Sequence, residues 1–280
     1  MDYQLGRTLE IFERTFSECV NNPIDLLDIG DLDGESAYHT NARMSYERTL
    51  RDVVPLIAGS FAAGKPVRIL EVGAYLGVVS VTLARLGCQV VALDIPEFIS
   101  NPRLQGRFAD AGVSTVSVNL RQYPLPLEDD YFDIVIMCET LEHLNFNPLP
   151  VLAEINRTLA NEGRLYLTLP NLASLPHRAA LLFGYSVHNP ISDFRAQLSL
   201  EGNMIVGIHW REYTRAELVD LLTLCSFGCE RHSYVDATLA CVPARLLYRI
   251  IPSLRPFQVM VAKKAGTAPA GFHFCRATTP

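Results

Sequence analysis

The chain has 280 residues, 49% of them hydrophobic and 19% charged, enough apolar content to bury a sizeable core and to exclude wholesale disorder. Its net charge of −6 argues against a nucleic-acid backbone as main partner, because phosphate binding needs clustered Lys and Arg. Residues 1–10 are polar, with no apolar signal-peptide core, and no apolar run reaches the ~20 residues of a transmembrane helix, so a soluble cytoplasmic protein is expected.

Residues 1–64 read as a helical extension: Leu9, Phe12, Phe16 and Val20 recur at helical spacing. A second helix is expected over 41–60, before Ala63-Gly64-Lys65-Pro66 breaks the pattern. A β/α alternation then begins. Strands are expected at 67–72, 88–94, 113–118, 132–138 and 164–169, with helices at 77–86 and 148–160, the second stopped by Asn161-Glu162-Gly163. Continuous apolar runs such as Val90-Val91-Ala92-Leu93 suit strands covered by helices on both faces. The pattern predicts an α/β fold with a doubly wound, mostly parallel sheet.

The alternation pauses over about 171–211, a stretch with prolines, asparagines and aromatics that reads as a lid after the fifth strand. Thr214, with Glu217 at capping-box spacing, starts a helix to about Cys225, which Ser226-Phe227-Gly228 ends. Closing strands are expected at 230–235 and 257–263, and a flexible tail at 265–280. Residues 242–257, with Arg245, Arg249 and Arg255 among apolar neighbours, read as packing on the core with the arginines outside; peripheral contact with an acidic membrane is the second reading. The main domain is thus 65–264. Seven cysteines (Cys19, Cys88, Cys138, Cys225, Cys229, Cys241 and Cys275) contain no CxxC pair. Cys225 and Cys229 lack a second pair of ligands, so reduced thiols are expected and no metal site.

The first strand runs into Glu71-x-Gly73-x-Tyr75-x-Gly77 and a helix. Glycines allow a sharp turn and close approach of a ligand, and the helix N-terminus offers free N–H groups to pyrophosphate or to an amino-acid carboxylate. A plain strand-to-helix turn uses the same glycines. A dinucleotide fingerprint would need glycines at 73, 75 and 78, where the chain has Gly73, Tyr75 and Val78. Asp94, ending the second strand, is placed to reach ribose hydroxyls. Asn119 could bond an adenine edge and Leu120 pack on its face; a solvent-facing loop amide is the equal alternative.

The ordered set of Ile69-Leu70-Glu71-Val72-Gly73 with Gly77, then Val91-Ala92-Leu93-Asp94, then Tyr131-Phe132-Asp133-Ile134-Val135, then Cys138-Glu139-Thr140-Leu141-Glu142-His143, resembles the class I S-adenosylmethionine-dependent methyltransferases of small-molecule type. Leu159-Ala160-Asn161-Glu162-Gly163 and His209-Trp210-Arg211-Glu212-Tyr213-Thr214 extend the likeness over roughly 65–265. The resemblance implies S-adenosyl-L-methionine as cofactor. Glu71, Gly73, Tyr75 and Gly77 would wrap its methionine part, Asp94 would take the ribose, and Ile95, Asn119 and Leu120 would line the adenine. Cys138 and Glu139 would lie near the sulfonium. Tyr75 departs from the family, which has glycine there.

The implied reaction is direct displacement at an activated methyl group, in which alignment does much of the work. An oxygen acceptor also needs a base. Of His143, His177, His188, His209 and His232, His143 is the first candidate because it follows the fourth strand, and His209 at the lid border the second. The acceptor is read as a small molecule with an O, N or C nucleophile, such as a sugar, a lipid-linked intermediate or a natural product. Two rival readings stand beside this one: a non-catalytic cofactor-binding partner protein, and a NAD(P)-dependent oxidoreductase or epimerase. Oligomeric state is not legible.

Overall fold

At the centre of the sheet lies β1, Arg68–Val72, whose last four residues are buried. The structure, a computed structural model, describes residues 2–24, 32–197, 208–236 and 242–269. Two helices precede β1, α1 (Asp2–Asn21) and α2 (Leu32–Ala62). After it come α3 (Val78–Leu86), β2 (Gln89–Asp94), α4 (Pro96–Ile99), α5 (Pro102–Asp110), β3 (Ser114–Ser117) and β4 (Phe132–Cys138). The chain continues through α6 (Leu149–Thr158), β5 (Leu159–Pro170), α7 (Leu175–Leu182), α8 (Ile191–Gln197) and α9 (Arg215–Leu224), and closes with β6 (Phe227–Val235), α10 (Val242–Ile250) and β7 (Phe257–Lys264).

The seven strands lie in the order β3-β2-β1-β4-β5-β7-β6. The first five are parallel, and β7 runs antiparallel between β5 and β6. The predicted doubly wound sheet is therefore observed. Its order reverses between β1 and β4, so the crevice for a ligand lies beyond the carboxyl ends of those two strands.

Strand side chains alternate between two cores. Ile69, Ile134 and Ile136 join one face, with Phe12 of α1, Leu50 of α2 and Val81 of α3. Leu70, Val72, Val135 and Met137 join the other, with Ile155 of α6 and Leu218 of α9. The N-terminal helices α1 and α2 thus contribute side chains to the main core.

Several boundaries differ from expectation. α2 begins nine residues earlier than residue 41, at Leu32, although Pro55 lies inside it. β5 starts at Leu159, where helix was expected to run to 160, because residues 159–163 form an irregular pairing with β4 between Phe132 and Ile134. β6 starts at Phe227 rather than 230, again with a register shift, between Cys229 and Arg231. The capping box at Thr214 forms as predicted, with both reciprocal hydrogen bonds present. Cys225 is buried and Cys229 exposed, both free thiols. Cys241, Cys275 and most of the expected tail (270–280) lie outside the described residues.

The insertion after β5 holds α7 and α8; residues 198–207 lie outside the described residues. No residue of α7 is buried, and Phe183 and Tyr185 face solvent, so these two aromatics do not wall the crevice. Phe194 instead packs edge-on against Trp210, with ring centroids 5.5 Å apart. Residues 242–257 depart from the expected arrangement in the same way. Tyr248 and Leu254 are buried, but Leu246 and Ile250 are as exposed as Arg245 and Arg249. No helix among the described residues is long and apolar enough to cross a membrane.

Candidate functional site

The loop after β1 turns through two left-handed glycines, Gly73 (φ 74°) and Gly77 (φ 79°). A Cβ at Gly73 would collide with the Thr140 side chain, and one at Gly77 with the Phe108 ring. Gly77 is the N-cap of α3 and provides no side-chain cap, while the backbone N–H of Ser80 in the first turn donates to Glu71. Glu71, at the end of β1, is buried; its Oε2 accepts the hydroxyl of Ser80. Burial pushes its carboxyl up to about 8, against the lowering effect of that hydrogen bond.

Tyr75 also adopts a left-handed conformation, with φ 46°. Two features hold it there. Its backbone N–H donates to Asp94 Oδ2 at 2.7 Å, and its ring stands edge-on between Tyr38 (5.0 Å) and Phe98 (5.4 Å). The ring is thereby turned toward α2 and α4. Asp94 Oδ1 accepts the N–H of Ile95 at 2.8 Å. The carboxylate that sequence assigns to a ribose thus also organises the loop. Val118 N–H donates to Asp94 O at 3.0 Å, which sets Asn119 and Leu120 beside the end of β2. Asn119 Oδ1 accepts from Arg121 N–H at 3.0 Å, so the amide of this exposed residue partly serves its own turn, while Leu120 is buried.

At the end of β4, Cys138 and Glu139 are backed by α2. Thr49 Oγ1 lies 3.3 Å from Cys138 Sγ, Ser45 Oγ donates to Glu139 Oε1 at 2.6 Å, and Tyr166 hydroxyl donates to Asp52 Oδ2 at 3.2 Å. Ser45, Thr49 and Asp52 escape sequence reading, yet their spacing of four and three places them on one helical face, a polar stripe that could have been found. Burial pushes the Cys138 thiol up to about 12, which leaves it an inert packing group. Glu139 has φ 47° and a carboxyl raised by burial.

A turn of 3-10 helix, Leu141–His143, follows directly. Thr140 Oγ1 donates to Cys138 O at 2.9 Å and lies 3.3 Å from Val72 O, so this turn packs against the glycine loop. Glu142 is fully buried, and neither of its carboxylate oxygens has a hydrogen-bond partner among the described residues. Its carboxyl is raised well above the usual range by burial and by Glu139. Glu142 O accepts from the N–H groups of Trp210 (2.7 Å) and Arg211 (3.3 Å), which brings the far end of the insertion onto the turn.

That clamp seats His209 beside His143, with ring centroids 4.9 Å apart. His143 Nδ1 lies 3.0 Å from Ile208 O, and His209 Nδ1 2.9 Å from Glu212 Oε1. Ile208 O can only accept, and a Glu212 carboxylate likewise, so each ring directs an Nδ1–H at its partner. Burial and the neighbouring His209 push His143 down to about 4. His177 Nδ1 lies 3.3 Å from Glu212 Oε2 at the edge of this group. His188 is exposed, and His232 bonds Gln258 on the antiparallel side of the sheet. The two histidines favoured from sequence therefore meet, while His188 and His232 lie elsewhere. Glu142, His143 and His209 each offer a ligand atom within 4.8 Å of the others, a grouping that sequence spacing concealed.

Residues 70–167 match a family model described as a methyltransferase domain. The ubiquinone biosynthesis O-methyltransferase of Xanthomonas oryzae pv. oryzae is 34% identical over 109 residues, covering 37% of this chain and 43% of that protein. An uncharacterized protein of Mycobacterium tuberculosis is 32% identical over 91 residues, 32% of each chain. The chain thus matches less than half the length of these curated relatives. Among solved structures, a SAM-dependent methyltransferase from Archaeoglobus fulgidus superimposes with TM-score 0.51 at 18% identity, covering 79% of this chain and 94% of that one. An S-adenosylmethionine-dependent methyltransferase from Mesorhizobium loti gives TM-score 0.50 at 17% identity, covering 71% and 91%. At these identities the structural likeness speaks to the fold.

Proposed function

We propose that this chain is a class I S-adenosylmethionine-dependent methyltransferase that methylates an oxygen atom of a small molecule; the match of residues 70–167 to a methyltransferase domain supports the reading. S-adenosylmethionine, when bound, supplies a methyl group already activated on a cationic sulfonium. The chain's own residues must hold that cofactor, align the acceptor and manage the acceptor's proton.

The loop suits the first task. Its glycines let the backbone approach a ligand, the N-terminus of α3 favours a carboxylate, and Asp94 ends β2 where a ribose would lie. Ile95 and Leu120 would bracket the adenine, with Asn119 at its edge. Glu139, held by Ser45, would stand near the reacting centre.

One observation carries the reading of the second and third tasks. The turn bearing Glu142 and His143 packs through Thr140 on Gly73, so polar groups lie directly beside the cofactor loop. His143 and His209 each use Nδ1 within the protein, which leaves Nε2 as the atom to meet an acceptor hydroxyl. The relatives named as ubiquinone biosynthesis O-methyltransferases support oxygen as the acceptor atom. Trp210, Phe194 and Tyr213 near the same end suit an acceptor with a ring or an apolar part.

Equilibrium titration with S-adenosylmethionine and with NAD, followed by transfer of labelled methyl to phenolic acceptors, tests the proposal. Binding of the first, none of the second, and transfer lost in His143→Ala with cofactor affinity kept is the expected result. Binding of NAD alone would sink it. Cofactor binding without transfer to any acceptor would favour a non-catalytic partner protein.

A further inference from the structure

We propose that the exposed apolar and basic surface of α7, α8 and α10 docks on an anionic phospholipid bilayer. Docking there requires neither bound cofactor nor methyl transfer.

The insertion after β5 and the segment between β6 and β7 leave the sheet at one edge. Asn171, just past the end of β5, donates its side-chain N–H groups to Ser253 O and Arg255 O, each at 2.8 Å, and its backbone N–H to Pro256 O at 2.8 Å. α7 begins at Leu175 and α10 ends at Ile250, so one asparagine ties the roots of both. Because β5 is parallel to β4, this is also the edge at which the crevice opens.

Both segments hold large apolar side chains in water. Leu182, Phe183 and Ile191 are 80%, 73% and 80% exposed, and on α10 Leu246 and Ile250 are 60% and 72% exposed. Single exposed apolar side chains are ordinary, but several along one segment mark a surface that meets something. In α10, Tyr248 turns inward, while Arg245, Leu246, Arg249 and Ile250 share the outward face. A helix that only packed on the core would bury Leu246 and Ile250 and leave the arginines alone outside.

The charge on this surface is almost all of one sign, in a chain whose net charge is −6. Arg178, Arg195, Arg245 and Arg249 are exposed, and none has a carboxylate partner among the described residues. By contrast Arg157, Arg164, Arg211 and Arg231 each pair with an acid. α7 and α10 contain no acid, and Asp193 of α8 accepts from Asn189 Nδ2 at 3.1 Å. Unpaired positive charge therefore gathers where the exposed apolar side chains do.

That mixture selects the occupant. A second copy of the chain, meeting this face symmetrically, would set the same arginines against each other. A bilayer surface offers acyl chains and phosphates in one layer. Leucine, isoleucine and phenylalanine enter its acyl boundary, while arginines lay their stems among them and reach the headgroups. Anionic headgroups add an attraction that salt weakens.

The test floats the full chain with vesicles of phosphatidylcholine alone and of phosphatidylcholine mixed with phosphatidylglycerol. The chain is expected to float with the mixed vesicles, about tenfold more weakly with the neutral ones, and less as salt rises. Leu182→Ser combined with Ile250→Ser, and Arg245→Gln combined with Arg249→Gln, should each lower partition about tenfold, with circular dichroism and S-adenosylmethionine affinity unchanged. A chain that stays off the mixed vesicles, floats equally well with neutral ones, or keeps its partition in both double variants overturns the proposal. A chain that stays off vesicles and sediments as a dimer, dispersed by Leu182→Ser with Ile250→Ser, gives this face to a second copy and overturns it as well.

Discussion

Asp94 Oδ2 accepts the backbone N–H of Tyr75 at 2.7 Å, and so joins the carboxyl end of β2 to the residue of the cofactor loop that departs from glycine. One carboxylate thereby shapes the loop proposed for the cofactor. Asp94→Ala is expected to weaken S-adenosylmethionine by roughly 1–3 kcal/mol, the scale of hydrogen bonds to a charged group. Calorimetric titration checks this; unchanged affinity would remove Asp94 from the ribose.

Tyr75→Gly separates two opposed effects. Glycine relieves the left-handed strain at φ 46°, worth about 1 kcal/mol. It also removes the edge-on ring contacts to Tyr38 and Phe98, worth about 0.5–1.5 kcal/mol each beyond the apolar area they bury. Packing is expected to win, lowering the midpoint of thermal unfolding by about 2–4 °C. A rise in the midpoint would show strain to be the larger quantity.

The buried Glu71 makes stability depend on pH. Its folded-state pKa stands at about 8, above the 4.5 of an ordinary glutamate, so the native state favours the protonated form. Its stabilising contribution is complete below about 4.5 and is lost as pH rises through about 8. Denaturant unfolding between pH 5 and 9 should show a decline of the order of 2–4 kcal/mol from this group, and Glu71→Gln should flatten it. An unaltered slope in the variant would assign the decline to other groups.

Thr214→Ala tests the capping box far from the cofactor. Loss of its reciprocal hydrogen bonds with Glu217 is expected to lower stability by about 1 kcal/mol. S-adenosylmethionine affinity should stay within twofold, and a larger change would tie α9 to the cofactor site.

The parts legible in sequence are those written locally. Strands of unbroken apolar residues, such as β2 and β4, announce a sheet covered on both faces, and Thr214 with Glu217 announces a helix start. The spacing of Gly73 and Gly77 separates this loop from a dinucleotide fingerprint, because turn geometry depends on a few neighbouring residues. Asp94 is legible because it follows that loop by one βαβ unit. The boundaries of β5 and β6 differ from the local pattern because their irregular pairing depends on partner strands, which no local pattern records.

Sequence by itself determined the doubly wound sheet, the glycine loop and the acid that ends β2, since each arises from short-range periodicity and backbone preference. Only the tertiary structure decided that His209, at the end of a long insertion, meets Glu142 and His143 on the turn after β4. It also decided that the helical face of Ser45 and Thr49 would cover Glu139 and Cys138. These meetings depend on how distant elements pack around the sheet, and side chains far apart in the chain carry no shared period. The Tyr75 ring followed the same logic: only the packed Tyr38 and Phe98 show where it turns.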